Sequence, residues 1–117
     1  MIKFKSIMVG FAVRDLDASL AYYAKLGFKP VFQNGAVYAI YSRDGIEISL
    51  SLDRTGAKSG KGSCYIKLEG VDALHAELLV KNVVVTHPLK TESYGMREFM
   101  LTDLDGNTLN FGEPVKP

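Results

Sequence analysis

The chain has 117 residues and a mass of 12.9 kDa, the size of one ordinary domain, and its 47% hydrophobic against 23% charged residues exclude wholesale disorder. Fourteen Lys and Arg against thirteen Asp and Glu leave a net charge of +1, which excludes the broad positive field that nucleic acid or an anionic membrane would need, so neither is expected as a partner. Cys64 is the only cysteine, which excludes an intramolecular disulfide and a four-cysteine zinc site and fits a reducing, cytoplasmic setting. The apolar stretch that follows Met1-Ile2-Lys3-Phe4-Lys5 is broken at Arg14 and Asp15, short of a membrane span and without a cleavage signal, so neither export nor insertion is expected.

The first element is a strand. Ile7, Val9, Phe11 and Val13 alternate with Ser6, Met8, Gly10 and Ala12, the period of a strand with one face on a core. After Asp15 the apolar spacing changes to Leu16, Leu20 and Tyr23, one stripe of a helix that Asp15 can cap and Gly27 can end. A shorter strand around Pro30 to Gln33 follows. Then come strands from Val37 to Tyr41 and from Ile46 to Leu52, joined by Ser42-Arg43-Asp44-Gly45, whose Asp-Gly is a hairpin signal. Asp53 to Gly62, with three glycines among Arg54, Lys58 and Lys61, reads as a flexible, solvated basic link.

The second half repeats this grammar. Cys64, Ile66 and Leu68 alternate with Ser63, Tyr65 and Lys67; Val71, Leu74 and Leu78 then make a helical stripe, with Asn82 where the first half has Gly27. A strand from Val83 to Thr86 precedes a hairpin of Arg97 to Leu101 and Thr108 to Phe111 around Asp103-Leu104-Asp105-Gly106. Laying Ala12 to Ala18 over Lys67 to Ala73 puts apolar on apolar and Asp17-Ala18 on Asp72-Ala73. The expectation is a single domain over residues 1–117, with module one about 1–53, a linker 54–62 and module two about 63–113.

Two βαβββ modules in this length, with Val13-Arg14-Asp15-Leu16, Tyr22-Tyr23, Leu26-Gly27-Phe28 and Asp103-Leu104-Asp105-Gly106-Asn107 in this order, resemble the vicinal oxygen chelate superfamily of glyoxalases, extradiol dioxygenases and bleomycin-resistance proteins. Arg43-Asp44-Gly45-Ile46-Glu47, Ser63-Cys64-Tyr65-Ile66 and Gly95-Met96-Arg97-Glu98-Phe99 look like the bleomycin-resistance branch; Leu104 departs from it, where such turns usually carry proline. The resemblance implies an α+β fold in which the modules form a curled mixed sheet with helices on its outer face. It also implies a homodimer whose groove draws on both subunits.

In the metalloenzymes of the superfamily a divalent ion is held by residues from the first and last strand of each module. The corresponding positions here are Met8, Ser49, Ser63 and Asn110, a thioether, two hydroxyls and an amide with no anionic charge for a hard ion. No metal or other cofactor is therefore expected. His75, between Leu74 and Leu78, and His87, in a loop before Pro88, read as exposed or locally hydrogen-bonded, and Cys64 as a buried, inert thiol.

If Ile46, Ile48 and Leu50 pack under the helix, Glu47, Ser49 and Ser51 face the other way, and a two-residue Asp44-Gly45 turn pairs Tyr38 with Ser51 and Ile40 with Ser49. Tyr65, Glu98, Met100 and Asn110 are the matching inward residues of module two. Tyr94, Met96 and Arg97, in the loop before the seventh strand, could reach a partner's site. Tyrosine rings, carboxylates and small polar groups suit an aromatic or cationic antibiotic-like molecule. The resemblance thus points to a binding protein rather than an enzyme; the alternative is a divalent-metal-dependent lyase, isomerase or dioxygenase of the same superfamily.

Overall fold

The computed structural model describes residues 1–116. Ten elements follow in chain order: β1 (Met8–Val13), α1 (Leu16–Lys25), β2 (Lys29–Asn34), β3 (Tyr38–Arg43), β4 (Ile46–Leu52), β5 (Ser63–Lys67), α2 (Val71–Val80), β6 (Val85–Thr91), β7 (Met96–Thr102) and β8 (Thr108–Pro114). The strands form two four-stranded mixed sheets of identical topology, β1-β4-β3-β2 and β5-β8-β7-β6. In each, the first strand runs parallel to the last, and the other neighbours are antiparallel. The fold is α+β, as the sequence implies.

Local chemistry explains the boundaries. Asp15 caps α1 by accepting the Ala18 N–H at 3.0 Å. Gly27 and Asn82, just past the two helices, both adopt positive φ, the conformation that ends a helix and that glycine and asparagine tolerate best. α2 has no side-chain cap of its own; Glu113 of β8 accepts the N–H of Val71 at 2.8 Å instead. Asp44 and Gly45 both have positive φ, as a two-residue hairpin turn requires.

The buried residues of both modules belong to one core. Val13, Leu16, Tyr23, Ile48 and Leu50 of module one join Val71, Leu78, Phe99, Leu101 and Leu109 of module two in one apolar cluster. Each sheet turns one face to this core and the other away from it, which is why alternate residues along each strand have opposite fates.

Several expectations need correction. Ile7 lies before β1 and is 86% exposed, because no neighbouring strand reaches it. Ile46 opens β4 at the hairpin end and remains 40% exposed, whereas Ile48 and Leu50 are fully buried. The third strand begins at Tyr38 rather than Val37, and β6 spans Val85–Thr91, so His87 stands on a strand and not in a loop. His75 packs edge-on against Phe99, with ring centroids 5.2 Å apart. Met96 and Arg97 belong to β7, and Arg97 pairs with Asp72 at 2.9 Å.

The link between modules is packed rather than loose. Asp53 accepts hydrogen bonds from Thr55 and from the Lys58 N–H, Ser59 is buried, and Gly62 lies directly against the Phe11 ring while donating its N–H to Asn107 Oδ1 at 2.9 Å. A side chain at Gly62 would collide with that ring, so the composition that suggests flexibility serves close approach instead.

Candidate ligand groove

The β3–β4 register pairs Tyr38 with Ser51, Ile40 with Ser49 and Ser42 with Glu47. With Ala39, Tyr41, Ile48 and Leu50 in the core, Tyr38, Ile40, Glu47, Ser49 and Ser51 share the opposite face of the first sheet. β1 contributes Met8 and Gly10 there, opposite Glu47 and Ser49. The missing side chain at Gly10 leaves Ser49 Oγ within reach of the Val9 carbonyl at 3.5 Å, to which it donates. Phe32, opposite Ile40 on β2, adds a second ring 6.3 Å from that of Tyr38. Phe32 escapes a sequence reading because the register of β2 shifts between Pro30 and Phe32, so period-2 counting does not carry through the strand.

On the second sheet Phe99, Leu101, Leu109 and Phe111 are buried, which sends Glu98, Met100 and Asn110 to the other face with Tyr65. Asn110 sits between Tyr65 and Met100 in the ladder and donates from Nδ2 to the Cys64 carbonyl at 3.1 Å. Tyr65 donates to Glu98 Oε1 at 3.3 Å, and Tyr94 donates to the same oxygen at 2.6 Å. Tyr94 therefore folds back onto its own sheet. The hydrogen bond to Glu98 pushes the Tyr94 phenol up to about 12; burial, with the Glu98 charge second, raises that of Tyr65. Both remain neutral donors at physiological pH.

The nine residues read from the sequence thus fall on two faces, five on one sheet and four on the other, each directed away from the shared core. None of them lines the cleft of about 520 Å³ that opens between the modules, whose walls include Phe28, Ile46, Ile66, Leu74 and Phe111 below the Arg43–Glu77 pair.

The four superfamily metal positions do not fit a hard divalent ion. Met8, Ser49, Ser63 and Asn110 supply no carboxylate or imidazole, and three of them are engaged within the protein: Ser49 with Val9, Ser63 with Thr108 at 2.9 Å, and Asn110 with Cys64. Among the described residues no three His, Cys, Asp or Glu side chains converge as a metal site. Burial pushes the Cys64 thiol up to about 11, so it is neither a thiolate ligand nor a nucleophile near neutral pH. Among the described residues no helix is long and apolar enough to cross a membrane.

Residues 5–111 match the Glyoxalase/Bleomycin resistance protein/Dioxygenase superfamily. The chain belongs to this superfamily. Within it, the chain is similar to the bleomycin resistance protein of Geobacillus stearothermophilus, 30% identical over 125 aligned residues that cover 89% of this chain and 92% of that protein. It is also similar to the glyoxalase/bleomycin resistance protein of Catenulispora acidiphila, with a TM-score of 0.78, 26% identity and coverage of 92% of this chain and 96% of that one. The fold is likewise that of the bleomycin-binding protein of Streptomyces verticillus, solved with copper(II)-bleomycin, at a TM-score of 0.82 and 24% identity over 100% of both chains. The superfamily also contains enzymes, among them the lactoylglutathione lyase of Agrobacterium tumefaciens, which shares the fold at a TM-score of 0.77 and 17% identity over 93% of this chain and 92% of that one.

Proposed function

We propose that this chain is a metal-independent binding protein of the bleomycin-resistance type, which sequesters an aromatic or cationic antibiotic-like ligand in a groove between the subunits of a homodimer. The observation that carries this reading is the pair of sheet faces bearing Tyr38, Ile40, Glu47, Ser49 and Ser51 on one side and Tyr65, Glu98, Met100 and Asn110 on the other. Within one chain both faces lie open, with Met8, Phe32 and Tyr65 among the exposed large side chains. A second copy would cover them and enclose the ligand.

Capture needs no bond to break. Tyr38 and Tyr65 offer ring faces for stacking, Ile40 and Met100 a dispersive wall, and Ser49, Ser51 and Asn110 hydrogen bonds that orient the ligand. Glu47 and Glu98 offer the carboxylates for a cation. The donor set at the four metal positions supports binding over metal-dependent catalysis.

Calorimetric titration of chelator-treated protein with metal-free bleomycin tests this reading. Saturable binding of two ligands per dimer, with the dimer established by sedimentation, is the expected result. A monomer that binds nothing, or binding that appears only when a divalent ion is restored, would overturn it.

A further inference from the structure

Glu98 is unusual among the groove residues in the company it keeps. One of its carboxylate oxygens, Oε1, accepts both the Tyr94 and the Tyr65 hydroxyls, which leaves Oε2 free of either phenol. The two rings approach from different elements, Tyr65 from β5 and Tyr94 from the β6–β7 connection. Nor is Glu98 neutralised from within. Lys90 is its cross-strand neighbour, yet the Lys90 ammonium lies 3.9 Å from Glu92 Oε2 instead, and no ion pair among the described residues includes Glu98.

The backbone accommodates this arrangement. Gly112 lies on β8 beside Glu98, and a Cβ there would collide with the Tyr65 hydroxyl. Only a residue without a side chain lets Tyr65 reach across β8 to Glu98. An anion held by two phenol donors, left without a counter-charge and flanked by aromatic rings, has the composition of a receptor for an organic cation: the carboxylate supplies the ion pair and the rings supply cation–π attraction.

We infer that Tyr65, Tyr94 and Glu98 form a recognition site for a protonated alkylamine or guanidinium group, which makes the ligand of this groove cationic at the end that meets the second module. This inference rests on the binding-protein reading above in placing these residues in a ligand groove. It goes beyond that reading in choosing a cation and in recruiting Tyr94. Both phenols stay protonated to high pH and so do not add a competing negative charge.

The test titrates the dimer with n-butylammonium and n-butylguanidinium, with butanol as a neutral control of similar shape and butyrate as an anionic one, following backbone amide NMR signals of residues 65, 94 and 98. Saturable shifts with one or both cations and none with the controls are expected, and the stronger of the two identifies the head group. Glu98→Gln keeps the shape and removes the charge, and should weaken the cation by about tenfold or more. Tyr94→Phe keeps the ring and should weaken it less. Gly112→Ala should displace Tyr65 and weaken binding while the circular dichroism spectrum stays native.

Metal-free bleomycin is titrated in parallel. Bleomycin bound equally by wild type and Glu98→Gln would overturn the cation site and leave the binding-protein reading intact. Cation shifts abolished by Glu98→Gln, without any bleomycin binding, would support the site and count against bleomycin as the ligand. No shift with either cation, or equal shifts with butanol, would overturn the proposal.

Discussion

The Tyr23 hydroxyl donates to Asp103 Oδ2 at 2.8 Å, tying the helix of the first module to the hairpin turn of the second. Oδ1 of the same carboxylate accepts the N–H groups of Asp105, Gly106 and Asn107 at 2.9, 3.0 and 2.9 Å, and Asn107 Nδ2 bonds both Asp103 Oδ2 and the Ala12 carbonyl. One buried carboxylate thus shapes a turn and fastens two modules, with each bond strengthened by the exclusion of water.

Removing the Tyr23 hydroxyl leaves Asp103 Oδ2 with one donor fewer in a buried setting. Tyr23→Phe should therefore cost about 1 to 3 kcal/mol of stability. Denaturant unfolding followed by far-ultraviolet circular dichroism measures it, and a midpoint equal to wild type would refute the role assigned to this bond.

Alkaline pH should unfold the protein through the same region. Burial, with the Asp103 charge second, pushes the Tyr22 phenol up to about 12, and the same causes raise Tyr23 further. Below pH 10 both phenols are protonated whether the chain is folded or not, and their contribution is fully present. Above pH 10 the unfolded chain loses these protons first, so stability falls until the folded-state values are reached. Urea midpoints should decline from about pH 10 upward, and Tyr22→Phe should shallow the decline.

Cys64 packs against the core with its thiol raised to about 11 by burial. At pH 8 a disulfide reagent should modify the native protein far more slowly than the urea-unfolded chain. Equal rates would show that the thiol is open to solvent.

Facing along β4 can be checked by two truncations. Ile48 is fully buried, so Ile48→Ala should cost about 2 to 5 kcal/mol by leaving a cavity. Ile46, at the strand's exposed end, should lose under about 1 kcal/mol in Ile46→Ala. Comparable losses at both positions would contradict the observed alternation.

Much of this architecture was legible in the residues. The alternation of Ile48 and Leu50 with Glu47, Ser49 and Ser51, the Asp15 cap and the turn at Asp44-Gly45 are local signals, and the register of Tyr38 with Ser51 follows from them. What was hidden depends on contacts between distant segments. Composition marks Gly62 as a loop residue but cannot show that the Phe11 ring lies against it. Alternation fails for Tyr94, which stands outside any strand and yet reaches Glu98. The inter-module cleft also has no local signature: its walls come from β3 and β4 of one module and from β5, α2 and β8 of the other.

The parallel pairing of β1 with β4, and of β5 with β8, sets an order of events during synthesis. Neither sheet closes until its last strand has left the ribosome, so Met8–Val13 must wait, unpaired, for Ile46–Leu52. Tyr23 waits longer still for Asp103. A nascent chain arrested before the final hairpin would hold a first module whose apolar face has nothing to rest on, a species that chaperones bind and that aggregates when they are scarce.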